Sequence, residues 1–234
     1  MASGSPDDPA TWIRPTAVTG WTADRPAMSG EESASWTVPA PPVPAGRSVR
    51  IPALFAVCGL GAVAAVRLLN ALWLAVRPDG GAAVTGDVLA GLAVIVASVL
   101  AGMAFIAWLF LAYTNVEAWG VQGLNWSKGW AIGGWFIPLA NWMIPKGVVD
   151  AVYSASVAPV GQEAVRPRST PLIRLWWAAW VASNLVVLFT AAGRNRGLAA
   201  GVSAGTDLVA AVLGILVIRT VTRAQERRLA APAG

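Results

Sequence analysis

Four stretches of the chain are long, nearly unbroken runs of apolar residues, and a fifth is interrupted. The uninterrupted runs extend from Ile51 to Val76, Val88 to Tyr113, Ile173 to Ala192 and Leu198 to Ile218. No charged residue falls between Val88 and Val116, and about 18 or more uncharged apolar residues in succession mark a helix that crosses a bilayer. Pro52 suits a first helical turn, and Arg77-Pro78-Asp79-Gly80-Gly81 supplies a stop and a turn. Gly193-Arg194-Asn195-Arg196-Gly197 is short enough to force the last two runs into an antiparallel hairpin. The expected fold class is an all-α integral membrane protein with four transmembrane helices, its helical domain covering residues 50–228 and a disordered C-terminus covering 229–234.

The interrupted run lies within 126–157. From Trp130 to Pro145 it reads WAIGGWFIPLANWMIP, apolar enough to enter a membrane, yet it holds Pro138 and Pro145 and is ended by Lys146. A straight span needs about twenty residues, and the tryptophans at 126, 130, 135 and 142 prefer the membrane interface. After Pro145, Val148, Val149, Val152 and Tyr153 share one helical face while Lys146, Asp150 and Ser154 share the other, which predicts a short helix along the membrane surface. Residues 158–171 read as a solvated loop.

Positive charge separates two topologies. With the interrupted segment kept from crossing, thirteen Lys and Arg fall on the side of both termini and three on the opposite side; with it crossing, the division is seven to nine. Only the first obeys the positive-inside rule. The expectation is four spans, both termini cytoplasmic, and an interfacial or re-entrant Trp/Pro-rich segment, whose broken backbone is tolerable at membrane depth where protein or water covers it.

Residues 1–49 hold 8 of the 16 prolines and no periodic apolar face. Such a segment cannot bury enough surface to offset its ordering entropy, so a disordered tail is expected. It lacks the apolar core of a leader peptide, so the first run is expected to be a retained anchor. Its Pro39-Ala40-Pro41-Pro42-Val43-Pro44 run favours polyproline II, either as a stiff spacer or as a contact for a membrane or cytoplasmic partner.

Composition narrows the chemistry. The chain has 234 residues, 56% hydrophobic and 12% charged, where soluble domains carry about 25% charged residues. The net charge of +5 is explained by basic flanks of membrane spans rather than by nucleic-acid binding. Histidine is absent, which removes His-ligated haem and zinc and every His-based triad. Cys58 is the sole cysteine, expected buried in the first span and unable to form an intrachain disulfide. No catalytic, cofactor-binding or metal-binding residue is identified, and an enzyme is not expected.

Two ionisable residues stand out deep inside predicted spans, at a cost of at least about 2.5–3.5 kcal/mol each on insertion scales. Arg67 stands nine residues before the outer end of the first span and Asp207 nine after the outer start of the last. A rise of about 1.5 Å per residue places them at one depth in the four-span arrangement. They are predicted to pair, with Asn70, Ser98 and Asn184 nearby as hydrogen-bond partners. The layer serves either as a structural ion pair or as a polar pathway for a proton or anion.

The segment from Trp130 to Pro145, with Asp150-Ala-Val-Tyr-Ser-Ala-Ser156 and Leu175-Trp-Trp-Ala-Ala-Trp180, resembles the bacterial membrane proteins grouped as domain of unknown function 4328. The resemblance covers roughly residues 85–228. Its signature here is Trp130, Gly133, Gly134, Trp135, Pro138, Asn141 and Pro145. It implies a multi-span bacterial membrane domain, often behind a Pro-rich tail, and implies no activity. Members often carry basic residues just after the second span, where this chain has Leu111-Ala-Tyr-Thr-Asn115. The function expected is a non-enzymatic partner-binding or scaffold protein of the bacterial inner membrane. The alternatives are a small transporter or channel component using the Arg67/Asp207 layer and, last, a lipid-modifying enzyme.

Overall fold

The computed structural model describes residues 46–76, 83–159, 164–190 and 196–231. Its elements are helical: α1 (Arg50–Val76), α2 (Ala83–Ala118), α3 (Trp130–Gly133), a 3-10 turn at Ala140–Trp142, α4 (Ile144–Val157), α5 (Pro171–Thr190) and α6 (Arg196–Ala230). Residues 1–45 of the predicted tail, the predicted turns at 77–81 and 193–195, the last two residues of the third predicted span and residues 232–234 lie outside the described residues.

Three helices are long and apolar enough to cross a membrane, Arg50–Val76, Thr85–Ala118 and Leu198–Ala230, and a shorter apolar helix covers Pro171–Val187. Large apolar side chains point outward along them: Ile51, Leu54, Leu89 and Ile95 are each more than half exposed. An apolar exterior of this extent needs a lipid solvent, so the chain is membrane-associated. Cys58, expected to be buried, is exposed on this outer surface.

α1 packs against both α2 and α6, and α6 against α5. Small residues set the closeness of these contacts. Ala53, Ala56, Ala64 and Ala71 form the buried stripe of α1, and a Cβ on Gly59 would come within 3.0 Å of the Ala101 Cα. Without a hydrophobic drive between helices in lipid, such close backbone approach is what holds the pair. α2 and α5 meet instead through rings, with Phe105 and Trp176 stacked at 5.7 Å between centroids.

The two longest helices outrun their predicted spans, α2 by five residues at each end and α6 to Ala230. Charge ends a membrane run without ending a helix, because Arg, Gln, Glu and Ala are all good helix formers. The extension of α6 beyond Ile218 buries Val221, Thr222 and Gln225, and it draws residues 229–230 into the helix instead of a disordered terminus.

One end of the bundle gathers the start of α1, the close of α2, α3, α4, the start of α5 and the close of α6. Asn115 is its central post. It accepts from the Arg47 amide at 2.7 Å and donates from Nδ2 to the Arg47 carbonyl at 2.7 Å and to Gln225 Oε1 at 2.9 Å. Gln225 Nε2 donates in turn to the Ala112 carbonyl at 2.8 Å. Glu226 accepts from the Ser48 hydroxyl and the Val49 amide, so a carboxylate of α6 caps the first turn of α1. Residues 46–49, assigned from sequence to the disordered tail, are thereby pinned to the bundle.

α4 also differs from expectation. The predicted surface helix is buried on both faces, with Asp150 and Ser154 each 7% exposed. Its apolar face meets α2 and α6, while residues 164–170, read as a solvated loop, cover the polar one. The Arg168 amide donates to Ser154 Oγ at 2.8 Å, and Lys146 Nζ donates to Asp150 at 2.7 Å and Ser169 Oγ at 2.9 Å. Gln122 and Ala164 form an isolated parallel bridge that ties this segment to the chain leaving α2.

Candidate functional site

Arg67 on α1 faces Asp207 on α6, with Nη1 2.8 Å from Oδ2. Antiparallel packing fixes this register: Glu226 stands at the start of α1, and Leu60 lies beside Gly214 about three turns further in. The two side chains are 27% and 14% exposed, to a cavity of about 280 Å³ enclosed by α1, α2, α5 and α6. Arg67 Nε is buried with no hydrogen-bond partner among the described residues.

Ser98 and Asn184 line the same cavity. Each is occupied locally: Ser98 Oγ donates to the Val94 carbonyl at 2.7 Å and Asn184 Nδ2 to the Trp180 carbonyl at 2.7 Å. Neither touches the ion pair through a recorded hydrogen bond. Asn70, one turn beyond Arg67, is half-buried and not among the lining residues. The group of α5 that does bear on Asp207 is Ser183, which interacts with that carboxylate while its hydroxyl donates to the Trp180 carbonyl at 2.9 Å. Its single proton serves one acceptor at a time.

The signature segment closes the cavity from one end. Trp135 fits between Phe105, at 5.6 Å and edge-on, and Trp180, at 5.8 Å with planes at 89°. Its indole Nε1 is buried without a partner among the described residues. Trp177 stacks on Trp180 at 4.7 Å and donates from Nε1 to the Trp142 carbonyl at 3.3 Å. A Cβ on Gly134 would lie 2.8 Å from the Trp130 carbonyl oxygen and 3.0 Å from Ile144, so only glycine lets α3 fold back onto α4 there. Gly133 meets nothing within 4 Å, and Pro138 is exposed. Asn141 donates its amide to the Ile137 carbonyl at 2.8 Å, Pro145 is fully buried in the first turn of α4, and Trp130 packs edge-on against Trp126 at 5.7 Å.

Sequence reasoning missed the α5 wall. Trp176, Trp180, Ser183 and Val187 all line the cavity and recur at helical spacing, so the stripe was present in the pattern. Chemically the cavity offers a cation, an anion and aromatic walls. Among the described residues Asp207 is the only acid lining it, and no group of three His, Cys, Asp or Glu able to hold a metal occurs among them.

A family described as Domain of unknown function (DUF4328) matches residues 79–226. That stretch covers α2 through most of α6 and includes Asp207 and the whole Trp/Pro segment, while Arg67 precedes it. No curated protein and no solved structure matches the chain.

Proposed function

We propose, from the premise that the chain belongs to the family described as Domain of unknown function (DUF4328), that it is a non-enzymatic binding protein of the bacterial inner membrane. Its ligand is a small polar or zwitterionic group held within the bilayer, where Arg67 takes the anionic part and Asp207 the cationic part. One observation carries this reading. The cavity is lined by opposite charges from two helices and by Trp135, and beside it Arg67 Nε and Trp135 Nε1 are buried with no partner among the described residues. Buried donors cost about 1–3 kcal/mol when unsatisfied, and a bound acceptor relieves that cost.

The proposed topology has four spans, α5 crossing as well as α1, α2 and α6, and both termini cytoplasmic. It is supported by the common end at which α2 closes and α5 begins, and by Arg47, Arg50, Lys128, Lys146, Arg166, Arg168, Arg174, Arg223 and Arg227 in the elements gathered there. A re-entrant placement of the signature segment is supported by its exposed apolar tip, with Phe136 74%, Leu139 87% and Met143 75% exposed. Trp135 touches Phe105, eight residues and therefore about 12 Å inward from Tyr113 along α2.

Extraction in mild detergent, followed by mass spectrometry of released small molecules, tests the binding. The expected result is a polar species carried by the wild type and lost from Arg67→Gln/Asp207→Asn at equal yield of folded protein. Identical profiles would overturn it. The cavity equally suits a transport intermediate, and solute or proton flux in reconstituted vesicles separates static binding from transport.

A further inference from the structure

A second concave site lies at the basic end of the bundle, remote from the Arg67/Asp207 cavity. α1 and α6 diverge there to leave a groove of about 600 Å³ whose rim carries Arg50, Arg219, Arg223 and Arg227. Arg219, Arg223 and Arg227 are spaced i, i+4, i+8, so they form a ladder along one face of α6, rising about 12 Å. The groove wall below them is apolar, from Leu54, Val57 and Ile218.

Charge in this groove is unbalanced. Among the described residues Glu226 is its only acid, and that carboxylate is already engaged by Arg50 at 2.9 Å and by Ser48 and Val49 at the start of α1. Arg219, Arg223 and Arg227 make no ion pair or hydrogen bond among the described residues, and all three are exposed. Basic residues at this end behave differently elsewhere: Lys128 pairs with Glu117, Lys146 with Asp150, and Arg228 donates to the Ala155 and Ala158 carbonyls while stacking on Trp119. A flank that serves only to orient the protein has no need of a concave apolar floor beneath its charges.

We propose that this groove is a binding site for an anionic phospholipid of the surrounding bilayer. The phosphate and acidic headgroup sit among Arg219, Arg223 and Arg227, and one acyl chain descends along Leu54, Val57 and Ile218. Guanidinium forks suit phosphate oxygens, and the long arginine stems let charges at differing depths converge on one headgroup level. A soluble phosphate uses only the rim. The lipid uses rim and floor, and the exposed floor residue Leu54, 61% accessible, is the part that a soluble anion leaves uncovered.

The test uses the full chain in detergent, with native mass spectrometry against phosphatidylglycerol and phosphatidylcholine of matched chains. Wild type retains phosphatidylglycerol preferentially. Arg219→Gln/Arg223→Gln/Arg227→Gln weakens that preference by about a hundredfold, at roughly fivefold per arginine. The corresponding triple Lys variant keeps most of it, and inorganic phosphate in millimolar excess fails to displace the lipid. Arg166→Gln/Arg168→Gln/Arg174→Gln removes equal charge from the same end outside the groove and leaves the preference intact. Equal retention of both lipids by wild type, equal loss in both triple Gln variants, or full displacement by phosphate each overturns the proposal. Should the groove variant misfold, the single variants Arg219→Gln, Arg223→Gln and Arg227→Gln decide the matter, each weakening the preference about fivefold where the proposal holds and leaving it unchanged where it does not.

Discussion

Removing one member of the Arg67/Asp207 pair leaves the other charge in a low-dielectric interior. At 2.8 Å the direct attraction is about 6 kcal/mol for an effective dielectric of about 20. Most of that is offset by the desolvation of both ions, and breaking a fully buried pair costs about 3–5 kcal/mol. Here Arg67 is 27% and Asp207 14% exposed to a cavity large enough to admit water, which moves the expectation to the lower part of the range. Arg67→Met is therefore expected to destabilise by about 2–3 kcal/mol, and Asp207→Leu by a similar amount, while the double variant recovers most of the loss. The coupling energy of the cycle, the two single losses less that of the double, is expected at about 3 kcal/mol or more, at least about a hundredfold change in the unfolding equilibrium. Reversible unfolding by SDS titration in mixed micelles, followed by tryptophan fluorescence, reads it. A coupling below about 0.5 kcal/mol would refute the claim that the two charges hold one another in place. Carried through the same detergent extraction, the double apolar variant also separates roles: a purely structural pair regains stability and keeps its co-purified molecule, whereas a binding pair regains stability and loses it.

Two further outcomes follow from packing and polar satisfaction. Gly59→Val places new carbons against the Ala101 backbone and should cost about 1–3 kcal/mol, because backbone atoms cannot yield as a flexible side chain would. Gly61→Ala on the same helix, with nothing within 4 Å, should be neutral or stabilising by under about 1 kcal/mol; equal losses at both positions in thermal unfolding would contradict the close-approach reading. Asn115→Ala removes three hydrogen bonds and orphans groups of Arg47 and Gln225, for an expected loss of about 3 kcal/mol together with faster proteolysis just before α1. Unchanged cleavage there would show that the Asn115 contacts do not hold residues 46–49.

Much of this arrangement was legible in the sequence, and the parts that were not share a cause. Hydropathy locates α1, α2 and α6, because span length and the absence of charge are local properties. The facing of Arg67 and Asp207 follows from counting residues along two helices, which needs only a constant rise per residue. Ser183 lies beside Asn184 and lines the same cavity, but depth alone does not say which of two polar neighbours bears on Asp207. α4 shows the limit most clearly. Its two-faced pattern fits a helix on a membrane equally well as a helix wedged between the bundle and a polar strap. The strap, 164–170, is joined to it by contacts such as Ser154 with Arg168 that no local pattern encodes. The capping of α1 by Glu226, 177 residues from Val49, is equally non-local.

The cavity, the common basic end and the lipid groove all depend on one arrangement, in which α2 closes and α5 opens on the same side of the membrane. Accessibility of single cysteines in a Cys58→Ser background measures this directly, with Ser48→Cys, Glu117→Cys, Ser127→Cys and Arg174→Cys at one end and Thr85→Cys at the start of α2. A membrane-impermeant maleimide applied to intact spheroplasts should label Thr85→Cys alone, and permeabilisation should make the other four reactive. Labelling of Arg174→Cys from outside while Glu117→Cys stays protected would mean that the Trp130–Pro145 segment crosses the membrane, and the four-span arrangement would fall.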